Sequence, residues 1–321
     1  MSFKAKEDEA AALMKSGKKH ITKSLTKWSL DHDSAAMDFE KAAKIYTHLG
    51  NVKLGKDAWL AASASHEVAK NLFFSGKALE TCAGMLKDDA AFAGSEEGQS
   101  ELSDLYIRAS RIFALDGKPE RQADMLQRAA KITPASKSKE AAAKMVDAID
   151  ALEDNDKHHY CPDAYRALIL LLVRNGSYTE AIPIIKRAIK TYEKLQQPAS
   201  GAKAGLEMII LCAATGDWVL ADREFRTLQD AYGFAHSQEQ NAAFSLLDAI
   251  EQRDDEALQH AVKNESPFQF IIPEIARIAK KLKASTMSNV PPPKKSVIHG
   301  ATTAATGGKH DEVEEDEEDL R

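Results

Sequence analysis

The chain has 321 residues, 44% of them hydrophobic, with 43 Lys/Arg against 49 Asp/Glu and a formal net charge of −6. That apolar content suffices for a continuous core, in two domains or one elongated repeat array, and the lack of a basic excess argues against bulk nucleic-acid binding. Three widely separated cysteines, Cys82, Cys161 and Cys212, exclude a disulfide framework and a CxxC site and fit a reducing, cytoplasmic setting.

The first residues, Met1–Glu9, contain no apolar signal core. From there to residue 284 nearly every segment reads at helical spacing, and strand-like alternation is absent. Helices of roughly 12–20 residues are expected between short breaks. Those breaks fall near Gly50, Gly94–Gly98, Gly117–Pro119, Thr133–Pro134, Asn155–Pro162, Gly176, Gln197–Pro198, Gly216, Gly233 and Ser266–Pro267. Leu25, Trp28 and Leu30 lie between the first two predicted helices. They suit either a membrane interface, where the tryptophan ring is favoured, or a hydrophobic staple ahead of an Asp33/Ser34 cap. Gly50–Asp57 falls short of a phosphate-binding loop, because Asp57 replaces the required hydroxyl and no strand precedes it. His158, His159 and Cys161 suggest metal ligands, but adjacent residues converge poorly on one ion and no second cluster completes a site. No metal, cofactor or enzymatic motif is expected. The strongest apolar run, Ala167–Val173, is far too short to span a bilayer.

Two hairpins share one pattern. The first has Leu168, Leu172, Gly176, Tyr178, Ala181, Ile185 and Ala188; the second has Met208, Cys212, Gly216, Trp218, Ala221, Phe225 and Leu228. The glycine reverses the chain, the aromatic packs across the turn, and the small alanine admits a neighbouring helix, which is the logic of a tetratricopeptide-type repeat. Weaker copies run through Ala36, Phe39, Ala43 and Tyr46, and through Gly117, Ala123, Leu126 and Ala130. The expected fold is all-α: a right-handed superhelix of TPR-like helical hairpins over 1–235 and a C-terminal helical bundle over 236–284. A helix over Phe268–Lys283 ends in Arg277, Lys280, Lys281 and Lys283, which complement its dipole or dock an acidic partner. From residue 285 a Pro/Ser/Thr/Gly-rich linker leads to an acidic tail, and both are predicted to be disordered. Between Ser285 and Arg321 there are four Lys/Arg and eight Asp/Glu, so the tail carries −4 of the total and leaves −2 for the body. Within Asp311–Arg321, Leu320 follows the acids Glu318 and Asp319. A lone leucine on a charged tail suits insertion into a partner's pocket, with the acids steering it to a basic surface.

The run Leu25–Ala43 and the Ser266–Phe268 region resemble the soluble N-ethylmaleimide-sensitive-factor attachment proteins, the gamma type in particular. Glu317–Arg321 is similar to the terminus of the alpha and beta types. The resemblance implies an adaptor that binds SNARE complexes of the syntaxin type and recruits the N-ethylmaleimide-sensitive fusion ATPase. It implies a cytoplasmic protein, peripheral on secretory and endosomal membranes, that does no chemistry itself. It also implies that Leu320 is the ATPase-stimulating residue and that Leu25–Leu30 is the membrane-touching loop, with weak contact because the double phenylalanine of the alpha type is missing. Local charge alone nominates Lys157, Arg166 and Arg174 as SNARE-facing. A helical-repeat scaffold of another assembly is the competing reading, and an enzyme built on Gly50–Asp57 a more distant one.

Overall fold

The computed structural model describes residues 2–23 and 29–291. Those residues hold fifteen α-helices and no strand beyond the isolated bridge between Asp217 and Ser288. In chain order the helices begin with α1 (Phe3–His20), α2 (His32–His48), α3 (Val52–Val68), α4 (Leu72–Asp88) and the short α5 (Ala90–Gly94). They continue with α6 (Glu96–Leu115), α7 (Pro119–Ile132), α8 (Ser138–Glu153), α9 (Cys161–Arg174) and α10 (Tyr178–Lys194). The last five are α11 (Pro198–Ala214), α12 (Trp218–Leu228), α13 (Gln238–Glu251), α14 (Asp255–Asn264) and α15 (Pro273–Ala279).

Polar side chains start many of these helices. Asp31, Asn51, Ser95, Ser237 and Asp254 each accept a hydrogen bond from the backbone N–H three residues on, supplying an acceptor to a donor the first turn leaves unpaired. Pro119, Pro162, Pro198 and Pro273 occupy first turns, where their missing N–H is not needed. At the other end, Gly50, Gly117, Gly176 and Gly216 take left-handed φ values of 70°, 67°, 73° and 84°. This closes the helix and reverses the chain. Lys70, Gln196 and Arg253 adopt the same conformation without being glycine.

Each long helix packs on the next, from α1 through α12, with α4 meeting α6 across the short α5. The two strong repeat copies form the α9–α10 and α11–α12 hairpins. Leu168, Leu172, Ala181, Ile185 and Ala188 are buried in the first, and Met208, Cys212, Ala221, Phe225 and Leu228 in the second. The apolar interior forms two clusters. One is built from α1 to α7, the other from α7 to Met287. Helix α7 serves both: Met125 and Ala129 face the first core, while Ala123, Leu126 and Ala130 face the second. The three cysteines are buried free thiols, and burial raises Cys82 and Cys212 to about 12 and Cys161 to about 11.

Two expectations are corrected at the C-terminal end. Phe268–Lys283 is not one helix. Ser266–Gln269 forms a 3-10 turn and α15 starts only at Pro273, because a proline restricts its predecessor to extended backbone, and Ile272 sits at ψ 125°. The linker does not begin at residue 285 either. Met287 is buried, the Ser288 N–H donates to the Gly216 carbonyl at 2.9 Å, and the Trp218 N–H donates to the Ser288 carbonyl at 3.3 Å.

Candidate functional site

Helix α15 returns across the second core to pack on α9 and α11. Two carboxylates fasten it. Glu207 on α11 is only 7% exposed and accepts the Ile272 N–H at 2.7 Å. Burial pushes its carboxyl up to about 7, against the opposing pull of that hydrogen bond and of Arg166 and Lys203 nearby. Glu274 on α15 accepts two bonds from the Arg174 guanidinium, at 2.6 and 3.1 Å. The guanidinium holds its carboxyl below the usual range.

These contacts locate the predicted partner-facing cations. Arg174 is spent largely on Glu274. Arg166 is exposed and lines a cleft of about 170 Å³ with Tyr192, Lys203, Glu207 and Phe270. Lys157 is half-buried in the turn ahead of α9. Arg166 and Arg174 lie on α9 roughly 12 Å apart at the helical rise, and Lys157 precedes that helix, so the three are spread along the chain. Arg277, Lys280, Lys281 and Lys283 are all exposed. Only Arg277 lies in the last turn of α15, with Lys280 as its C-cap, so the dipole accounts for two of the four at most. Leu30 is half-buried. Leu25, Trp28, Glu318, Asp319 and Leu320 lie outside the described residues.

The structure adds a surface that the sequence reading missed. Helices α12 and α13 enclose a groove of about 490 Å³, with Trp218, Phe225 and Phe244 as its apolar lining. Phe244 is 59% exposed. Asp222, Asp230, Asp248 and Glu251 ring it, and the nearby Arg226 is paired to Asp222 at 2.7 Å. The groove therefore suits a cationic partner. Phe244, Asp248 and Glu251 recur at helical spacing along α13, and that stripe was the available signal. The groove also adjoins the exit of the chain: Ser288 and Asn289 bond to Gly216 and Asp217, at the start of α12. The last described residues thus lie near this acidic groove.

The two dismissed chemical motifs resolve as packing. Gly50 is a turn glycine, Gly55 lies inside α3 against Met85, and Lys56 is ion-paired to Glu101, so no phosphate cradle forms. Glu153, His158 and Cys161 do converge, with ligand atoms within 4.8 Å of one another. Both Glu153 oxygens are already used, however, by Tyr165 and Thr191 on one and Arg187 on the other. Lys194 sits 3.2 Å from the His158 Nε2.

A family model described as "Soluble NSF attachment protein, SNAP" matches residues 8–268. The chain is 27% identical over 288 residues to the gamma-soluble NSF attachment protein of Dictyostelium discoideum, covering 89% of this chain and 86% of that one. It is 24% identical over 278 residues to the protein of the same name from Arabidopsis thaliana, covering 87% and 93%. Among solved structures, the crystal structure of a signal transduction ATPase with numerous domains and a tetratricopeptide repeat sensor, from Pyrococcus horikoshii, aligns at a TM-score of 0.38 and 14% identity. The alignment covers 85% of this chain and less than half, 44%, of that one.

Proposed function

This chain belongs to the soluble NSF attachment protein family, and from that premise we propose that it is a non-enzymatic adaptor between SNARE complexes and the N-ethylmaleimide-sensitive fusion ATPase. In this reading the helical stack grips a syntaxin-type SNARE bundle, with Arg166 and Lys157 among its cationic contacts. The C-terminal end recruits and stimulates the ATPase, which performs the hydrolysis. The protein works in the cytoplasm, peripherally on secretory and endosomal membranes, with Leu25, Trp28 and Leu30 as a weak membrane contact. No helix among the described residues is long and apolar enough to cross a membrane.

The observation that supports the C-terminal assignment is an acidic groove close to where the described chain ends, in a sequence whose last residues are also acidic. Asp222, Asp230, Asp248 and Glu251 ring the groove near Ser288 and Asn289, and the sequence beyond holds eight more carboxylates and Leu320. Both attract a basic surface, and both would be screened by salt. Binding through several copies on one SNARE bundle would add their modest affinities by multivalency.

Leu320→Ala is expected to keep binding to a preformed SNARE bundle while lowering stimulated ATP hydrolysis about tenfold, the factor set by losing part of one leucine's burial. Asp248→Lys, which reverses charge in the groove without touching the tail, is expected to weaken ATPase recruitment in co-sedimentation and to leave SNARE binding intact. Undiminished stimulation by both variants would remove the C-terminal assignment. Failure of the unmodified chain to bind any assembled bundle would favour a scaffold of some other assembly.

A further inference from the structure

The groove between α12 and α13 has a direction. The two helices run antiparallel: the Gln240 side-chain amide, at the start of α13, donates to the Gln229 carbonyl, at the end of α12, at 3.0 Å. Asp248 and Glu251, two to three turns further along α13, therefore lie toward the start of α12, with Asp222. The charge of Glu251 is close enough to act on the Arg226 guanidinium. Arg226 is the only Lys or Arg in the lining and is paired to Asp222, so this end of the groove is negative. Phe225 and Phe244 come next, with ring centroids 6.4 Å apart. The described chain stops at the acidic end. The Asn289 side-chain amide donates to Asp217 at 3.2 Å, one residue before the groove-lining Trp218, and Val290 packs against the second core.

The sequence beyond the described residues continues Pro292-Pro293-Lys294-Lys295-Ser296-Val297-Ile298-His299. We propose that this stretch docks in the groove of its own chain, with Lys294 and Lys295 against Asp222, Asp248 and Glu251, and Val297 and Ile298 against Phe225 and Phe244. The order matches. From the acidic end, the lysines come first and the aliphatic pair follows, as the carboxylates precede the aromatics along the groove. The reach suffices: eight extended residues span up to about 26 Å, and α12, with eleven residues, is roughly 16 Å long. Charge selects this stretch over the rest of the sequence beyond it, since the eight carboxylates of Asp311–Asp319 are repelled by a groove of the same sign. Tethering supplies a local concentration on the order of millimolar, so a contact too weak to form between molecules is populated within one. The docked stretch masks the groove from a cationic partner. That the masked partner is the ATPase rests on the adaptor reading; the docking itself does not.

The test is limited trypsin digestion of the full chain, with the cuts after Lys295 and Lys309 followed by mass spectrometry. Proteolysis samples the open fraction of a fast docking equilibrium, and Lys309, ten residues beyond His299, serves as the internal reference. Phe244→Ser, and separately Asp248→Asn with Glu251→Gln, are expected to speed the cut after Lys295 about tenfold, the factor for a stretch docked about nine-tenths of the time. The cut after Lys309 keeps its rate. Val297→Ser with Ile298→Ser, which leaves α12 and α13 untouched, is expected to do the same once each rate is divided by that of a free peptide of the same sequence. This variant decides the matter if thermal melts show a groove variant to be unfolded. The rate in the unmodified chain is expected to be independent of protein concentration. An unchanged Lys295 rate in the Val297/Ile298 variant overturns the proposal, as does an unchanged rate in folded groove variants. So does protection that disappears on dilution, since the stretch would then sit in the groove of a second copy. Neither a SNARE bundle nor the ATPase enters the assay, so its failure is distinct from failure of the adaptor reading.

Discussion

Glu207 is a carboxylate placed where charge is disfavoured. Its ordinary value of 4.5 is raised to about 7, chiefly by burial, so the folded state holds its proton more tightly than the unfolded chain does. The stabilisation is then fully present below about pH 4.5 and is lost as pH rises through about 7. A shift of that size corresponds to on the order of 3 kcal/mol. Glu207→Gln keeps a carbonyl acceptor for the Ile272 N–H and cannot ionise. In urea unfolding across this range the stability of the unmodified chain is expected to fall with rising pH relative to that of the variant; identical slopes would remove burial of Glu207 as the cause. Glu153 is the opposite case. Burial pushes its carboxyl up, but hydrogen bonds from Tyr165 and Arg187 outweigh it and the net shift is downward. Neither environment was visible in the sequence, because the partners of Glu207 and Glu153 lie 65 and up to 38 residues away.

At the scale of elements, helix ends separate what was readable from what was not. Gly50, Gly117, Gly176 and Gly216 announce their turns, because glycine alone takes left-handed backbone without steric cost. The breaks at Lys70 and Arg253 carry no such mark. Their φ values are 64° and 56°, and the backbone closes there as it does at the glycines. The Asn71 N–H reaches the His66 carbonyl at 2.9 Å and the Asp254 N–H reaches the Ala249 carbonyl at 3.0 Å. A non-glycine residue in this conformation costs roughly 1–2 kcal/mol, partly offset by the greater unfolded-state freedom of glycine. Lys70→Gly and Arg253→Gly are therefore each expected to stabilise the fold by about 0.5–1 kcal/mol, seen as a higher denaturant midpoint at constant slope. Loss of stability in both would mean that those side chains make contacts worth more than the strain. The Arg174–Glu274 pair lies on a more exposed surface, and a double-mutant cycle is expected to give a coupling below about 1 kcal/mol.

Over the whole molecule, two cores meet at α7, and stability in such arrays is carried by neighbouring contacts. Leu79, fully buried in the first core, tests this. Leu79→Ala is expected to cost about 2–5 kcal/mol and to speed amide exchange in α2–α6 while α9–α11 stay protected. Uniform loss of protection would show the two cores to be one cooperative unit. The helical periodicity and the Gly176 and Gly216 hairpins were determined by sequence alone, as was the family resemblance, because each depends on residues close together in the chain. The fastening of α15 to α9 and α11 and the acidic groove between α12 and α13 were decided only by tertiary structure. Each joins side chains from helices far apart in the chain, and packing rather than local propensity selects those neighbours.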